Sequence, residues 1–223
     1  MKNLKQNIKF KNIFFDFDGV IAESVSAKTE AFRELYAQYG KTVTDKVVEH
    51  HINHGGVSRY EKFKIYHKIF LKKNISESKV QQLAQKFSRL VLDKVIDSEE
   101  VTGCKDFLNR YSKDLNFWII TGTPKIEIEL IAEARGIGNH FLGLHGSPEN
   151  KKYWTEYLIK KNALKRDETL FLGDATTDFE AAQFSKIHFG LREHSENKHI
   201  FSNYNGLKFN NFVELERNIK KYL

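Results

Sequence analysis

Short apolar runs, each closing on a loop of small or polar residues, punctuate the chain. NIFF (12–15) leads into Asp16, NFWII (116–120) into TGTP, HFLGLHG (140–146) into SPENK, and TLFLG (169–173) into DATTD. A weaker run, KIHFGL (186–191), precedes REHSEN, and GLKFNN (206–211) reads as a last edge strand. Runs of this length, rich in Ile and Phe and without strict alternation, are what strands covered on both faces of a parallel sheet look like. Between them lie segments of helical period, PKIEIELIAEARG with its closing Gly136 and KYWTEYLIKKNAL. FVELERNIKKYL reads as an amphipathic closing helix capped by Asn210 or Asn211. Alternating strand and helix predict a Rossmann-like, doubly wound α/β fold. Such folds bind ligands outside the carboxyl ends of their strands.

One segment breaks the alternation. From residue 22 to residue 100 the period is helical throughout, in AKTEAFRELYAQYG, DKVVEHHINHGG, SRYEKFKIYHKIFLKK and SESKVQQLAQKFSRLVLDKVI. A crossover between parallel strands needs only a dozen or so residues. The excess predicts a helical cap domain over 22–100, inserted into an α/β core of residues 1–21 and 101–223 and placed to cover whatever follows the first strand.

Composition narrows the setting. Lys and Arg outnumber Asp and Glu by 36 to 29, a net charge of +7, but the lysines are dispersed among acids along the whole chain. That distribution reads as a solvated surface, so no nucleic-acid partner is expected. No apolar run approaches the ~18 residues of a membrane span, and MKNLKQNIKF is not followed by the apolar region of a secretory leader. The single Cys104 cannot form an internal disulfide. It is expected as a small buried residue, in keeping with the cytoplasm.

The unusual residues cluster at the strand ends. Asp16 and Asp18, one residue apart, follow the first strand; Thr121 follows the second; Lys151 lies in the loop region after the third; Asp174 and Asp178 follow the fourth. Like charges held this close call for a cation or a reaction. An oxygen-only acidic set suits a hard divalent ion, Mg²⁺ above all. Two positions have neighbours of the same chemistry, Lys152 beside Lys151 and Thr123 near Thr121; Thr121 is preferred because it directly follows the apolar run. Asp174 and Asp178 also have the spacing of a helix cap and a first-turn acid. His50 and His54 are spaced for a metal but have no third ligand in sight, so packing or surface is expected of them.

In order and context these residues resemble the haloacid dehalogenase superfamily of phosphohydrolases. Its first motif, D-x-D-G-[TV] after a strand, is matched by IFFDFDGV, its second by FWIITGTP, its downstream lysine by Lys151 in GSPENK, and its G-D-x-x-x-D by GDATTD. The helical insert resembles the family's helical cap. The resemblance implies Asp16 as nucleophile and Asp18 as general acid and base. It implies Thr121 and Gly122 as phosphoryl contacts and Lys151 as the neutralising cation. Mg²⁺ would be held by Asp16, Asp18 through its backbone carbonyl, Asp174 and Asp178. Gly19 would turn the chain beside the substrate, and Arg59 and Lys62 of the cap would grip a second part of it.

An acid at position 18 marks phosphoryl transfer within the superfamily, not C–Cl or C–P cleavage. The expected activity is hydrolysis of a small phosphorylated metabolite, a phosphosugar or phosphoglycolate-like acid, by a monomer or homodimer. A sugar phosphomutase like β-phosphoglucomutase is the alternative, and a non-catalytic binding protein the more distant one.

Overall fold

The computed structural model describes residues 9–223, so most of the basic N-terminal stretch lies outside the described residues. Six strands form one sheet in the order β3-β2-β1-β4-β5-β6: β1 (Asn12–Phe15), β2 (Asn116–Pro124), β3 (Gly143–Ser147), β4 (Thr169–Gly173), β5 (His188–Arg192) and β6 (Leu207–Phe209). Every pairing is parallel.

Adjacent strand residues point to opposite faces, and both faces are covered. Ile13, Phe15, Phe117, Ile119, Leu170 and Leu172 pack into one apolar cluster, while Phe14, Trp118, Ile120 and Phe171 pack into a second. This is why the strands read as continuous apolar runs instead of alternating ones. The covering helices are α5 (Cys104–Tyr111), α6 (Lys125–Ala134), α7 (Lys151–Lys161), α8 (Thr176–Phe184) and α9 (Phe212–Ile219). Gly136 takes the left-handed conformation just past α6, and the Asn211 side chain accepts from the Glu214 amide at the start of α9, both as the pattern predicts. Cys104 opens α5 and is buried and free.

The helical segment is confirmed as α1 (Val25–Tyr36), α2 (Lys41–Asn53), α3 (Arg59–Ile69) and α4 (Glu77–Ile96). Ser58 and Ser76 cap α3 and α4 by accepting backbone N–H bonds. Phe32, Phe63, Tyr66 and Phe87 close an aromatic interior within the insert, continuous with the core through Phe17, Val20 and Ile21. Among the described residues no helix is long and apolar enough to cross a membrane.

Three element boundaries depart from the sequence pattern. β2 runs past its apolar residues to Pro124, with pairing irregular after Ile120, so Thr121 lies where the regular ladder stops and not in a loop beyond it. β3 starts at Gly143, later than HFLGLHG implies. Lys151 is the first residue of α7, capped by Asn150, and not a loop residue.

Candidate active site

Strand order reverses at β1, which has β2 on one side and β4 on the other. The loops leaving β1 and β4 therefore diverge and open a crevice at the carboxyl edge of the sheet. Asp16 and Asp18 enter it from β1, Thr121 from β2, and Asp174 and Asp178 from β4. Lys151 reaches it from the start of α7.

Lys151 Nζ lies 2.6 Å from Asp16 Oδ2 and 2.6 Å from Asp178 Oδ1, with all three side chains buried. Lys152 is half-exposed and pairs with Glu180 instead. The second oxygen of Asp178 accepts the Ala175 N–H at 3.1 Å. Asp178 is thus both a first-turn helix acid and a member of the site. The other oxygen of Asp16 accepts from the Phe17 N–H at 2.7 Å.

Carboxylate oxygens of Asp16, Asp174 and Asp178 all fall within 4.8 Å of one another. Burial raises the Asp16 carboxyl above its ordinary range, opposed by Lys151 and reinforced by Asp174 and Asp18. Burial likewise pushes Asp178 well up, again against Lys151. Three buried acids facing one ammonium leave an excess of negative charge, and all the donors are oxygens. The set fits a hard divalent cation.

The Asp18 side chain turns away from this trio. Its Oδ1 accepts from Ser24 Oγ at 2.6 Å and its Oδ2 from Thr123 Oγ1 at 3.2 Å and from the Lys28 ammonium, which also donates to Thr123 Oγ1 at 2.7 Å. Burial works to raise Asp18, but Lys28 and the two hydroxyls bring it below the ordinary carboxyl value. Thr121 is buried, and its hydroxyl accepts the Thr123 N–H at 3.3 Å. Both threonines therefore belong to the site, Thr121 at the strand end and Thr123 beside Asp18.

Gly19 has φ +74°, and a Cβ there would lie 2.3 Å from Asp174 Oδ2, so both the turn and the approach of the β4 loop require glycine. A Cβ on Gly122 would lie 2.6 Å from the carbonyl oxygen of Gly56, in the loop between α2 and α3. Thr177 Oγ1 donates to the Gly55 carbonyl at 3.2 Å. The insert thus rests its glycine loop directly on the β2 and β4 loops.

Between insert and core lies a cavity of about 90 Å³, reached by Asp16, Asp18, Thr121, Gly122 and Asp174 from below and by Lys28, His51, Arg59 and Lys62 from above. Arg59 lines this space, but its guanidinium is engaged elsewhere. Nη1 and Nη2 bind Glu127 at 2.8 and 2.7 Å, and Nη1 also donates to Ser88 Oγ at 2.8 Å. Lys62 is buried, with Nζ 2.8 Å from His51 Nδ1. His50 and His54 stack with ring centroids 3.9 Å apart, which is a packing role.

Several residues at the site were not singled out from the sequence. Lys28 and Ser24 hold Asp18. His194 Nε2 sits 3.0 Å from Asp174 Oδ2, and Asn197 Nδ2 donates to the Asp174 carbonyl at 2.8 Å. Lys28 stands in the first turn of α1, four residues after Ser24, and nothing local separates it from the other dispersed lysines. His194 and Asn197 follow the weakest strand, where REHSEN carries no motif.

A haloacid dehalogenase-like hydrolase family model matches residues 13–191. No curated protein matches the chain in sequence. Among solved structures, a Haemophilus somnus protein assigned as a phosphoglycolate phosphatase shares 19% identity over 97% of this chain and 99% of its own, with a TM-score of 0.73. A Bacteroides vulgatus protein assigned as a β-phosphoglucomutase shares 16% over 97% and 90%, with a TM-score of 0.77. The YfnB hydrolase of Bacillus subtilis, solved with magnesium bound, shares 18% over 95% and 99%, with a TM-score of 0.67. At these identities the structural likeness establishes the fold. The family match runs from β1 to β5 and includes the insert between β1 and β2, and the chain belongs to the haloacid dehalogenase-like hydrolases, with a buried acidic crevice beneath its helices.

Proposed function

We propose that this enzyme is a Mg²⁺-dependent phosphatase of small phosphorylated metabolites, working through an aspartyl phosphate on Asp16. The observation that carries the reading is the contact of Lys151 with Asp16 inside a buried acidic trio, at the crevice where β1 and β4 diverge.

Asp16 and a phosphate monoester are both anionic, so attack requires positive charge between and around them. Lys151 supplies part of it, fixed in place by Asp178. The carboxylates of Asp16, Asp174 and Asp178, with the Asp18 backbone carbonyl, would hold Mg²⁺. When bound, the ion neutralises phosphoryl oxygens as charge builds on them.

In the first half-reaction an Asp16 oxygen bonds to phosphorus, the ester P–O bond breaks, and Asp18 gives a proton to the departing oxygen. In the second, water attacks the aspartyl phosphate and Asp18 takes its proton, which frees inorganic phosphate and restores Asp16. Lys28 favours the carboxylate form of Asp18, which suits the second half-reaction, where it activates water, and works against the protonated form that the first requires. Thr121 and the Gly122 backbone would hold phosphoryl oxygens, and the insert, acting as a cap, would exclude bulk water.

Release of phosphate from p-nitrophenyl phosphate and from a panel of small phosphomonoesters, with and without Mg²⁺, tests the reading. Asp16→Asn must abolish it while leaving the protein folded. No release from any ester by the wild-type protein overturns the proposal. Isomerisation of a hexose 1-phosphate that outpaces hydrolysis would assign the chain to the mutases instead.

A further inference from the structure

Of the three buried acids, Asp16 and Asp178 are pinned by a single ammonium, that of Lys151. Asp174 pairs with no Lys or Arg among the described residues. Its carboxylate faces two like charges, with oxygens of all three within 4.8 Å of one another, and repulsion alone would turn it away. What holds it comes from the segment between β5 and β6, outside every motif of the sequence. His194 Nε2 lies 3.0 Å from Asp174 Oδ2.

The neighbours of the ring fix its tautomer. The Glu196 N–H donates to His194 Nδ1 at 3.3 Å, so that nitrogen offers a lone pair and the ring proton sits on Nε2. The imidazole thus makes both bonds in its neutral form, and Nε2–H donates to Asp174. Asn197, 3% exposed, sets where the ring stands. Its Oδ1 accepts the His194 N–H at 2.9 Å, while its Nδ2 donates to the Asp174 and Arg192 carbonyls at 2.8 and 2.9 Å. One side chain therefore ties the end of β5, the loop after β4 and the base of the imidazole together. A neutral donor directs Asp174 without cancelling its charge. Three carboxylates against one ammonium keep two negative charges, the complement of a divalent ion, whereas a second lysine in this place would leave only one.

We propose that His194 is a positioning residue of the cation site, with Asn197 as its support: the neutral imidazole aims the Asp174 carboxylate at the ion and leaves the charge of the acidic trio intact. Hydrogen bonds to a ligating group of this kind set its orientation and basicity. The inference rests on the Mg²⁺ reading of the trio and deepens it. It brings the connection between β5 and β6 into a site built otherwise from the ends of β1 and β4 and the start of α7.

Calorimetric titration of the full chain with Mg²⁺, no ester being present, tests it without turnover. In His194→Phe, which keeps the bulk of the ring and loses the donor, the Kd for Mg²⁺ is expected to rise by about 10- to 100-fold. His194→Gln, whose side-chain N–H can stand in for Nε2–H, should recover most of that loss. Asn197→Ala should weaken binding too, and combining it with His194→Phe should cost less than the two losses together, because the residues act as one unit. Melting curves in EDTA verify that each variant is folded before metal is added. An unchanged Kd in His194→Phe, an equal loss in the Phe and Gln variants, or a wild-type protein that binds no Mg²⁺ overturns the assignment. If the affinities follow the expected order while no phosphomonoester is hydrolysed, His194 keeps its role and the phosphatase reading is what fails.

Discussion

Arg59 in the insert and Glu127 in the core grip each other through two parallel hydrogen bonds of 2.8 and 2.7 Å, with both side chains largely buried. The Arg59 guanidinium also lies 4.5 Å above the Phe87 ring, and Ser88 Oγ donates to Glu127 at 2.5 Å. A fork of this kind fixes orientation as well as distance. It ties α3 and α4 of the insert to α6 of the core and so sets how the insert sits over the crevice. Breaking one side leaves a buried charge alone. Glu127→Ala is therefore expected to lower the unfolding free energy by about 3 kcal/mol, and the apolar double variant Arg59→Met/Glu127→Leu to recover most of that loss. Denaturant unfolding of the three proteins measures both; a double variant no more stable than the single would contradict the account.

Lys151 and Lys152 are neighbours in sequence with opposite surroundings. Lys151 is 4% exposed and bridges Asp16 and Asp178, whereas Lys152 pairs with Glu180 at the surface. Lys151→Met is expected to reduce phosphate release by about a thousandfold, the order seen when one preorganised charge is removed from a transition state. Lys152→Met should match the wild type. Initial rates on p-nitrophenyl phosphate separate the two.

The crowding between Gly122 and Gly56 makes a steric prediction. A Cβ on residue 122 would stand 2.6 Å from the Gly56 carbonyl oxygen, so Gly122→Ala must push the insert loop off the core. Displacements near 1 Å at a reacting centre cost roughly a hundredfold in rate. Loss of kcat/KM of that order, with the melting temperature little changed, is the expected result. Unchanged kinetics would mean that the loop contact has no part in turnover.

Lys62 links the cavity to stability. Its folded value of about 7 lies below the ordinary 10.5, so between these values the unfolded chain carries a proton that the folded one lacks. Stability from this group rises with pH across that window, and below pH 7 the full cost of burying the ammonium is present. Lys62→Met is therefore expected to be more stable than the wild type at pH 6, with the advantage shrinking by up to about 1.4 kcal/mol per pH unit above pH 7. Denaturant midpoints of both proteins from pH 6 to about pH 10 give the difference curve, and a flat curve would contradict it.

The acidic trio predicts metal-dependent stability. A cation bound among Asp16, Asp174 and Asp178 offsets their mutual repulsion only in the folded state, so saturating Mg²⁺ at about 100 times its Kd should add about 2.7 kcal/mol. Asp174→Asn should lose most of the increment. Thermal melts in Mg²⁺ and in EDTA provide the comparison.

The apolar runs carried the strand positions because both faces of the sheet are buried, and that requirement is written residue by residue into NIFF, NFWII and TLFLG. The spacing of Asp16, Asp18, Asp174 and Asp178 was equally legible, because strand ends in a parallel sheet all face the same edge. Where the pattern misled, the local signal was weak. β3 is only half-buried along most of its length, so its start is not marked by a solid apolar run. Lys151 reads as a loop residue because a capping Asn150 and a first helical residue look like loop until the helix is seen.

Partner choice was decided by tertiary structure alone. Arg59 and Lys62 are three residues apart on α3, equally basic, and indistinguishable by periodicity. One meets Glu127, 68 residues away on a core helix, and the other forms no salt bridge among the described residues. Lys28, His194 and Asn197 were invisible for the same reason. Hydrophobic period and motif spacing are local, whereas the counter-ion of a buried charge depends on which two surfaces the fold brings face to face, and that choice separates the arginine that meets a carboxylate from the lysine that meets a histidine.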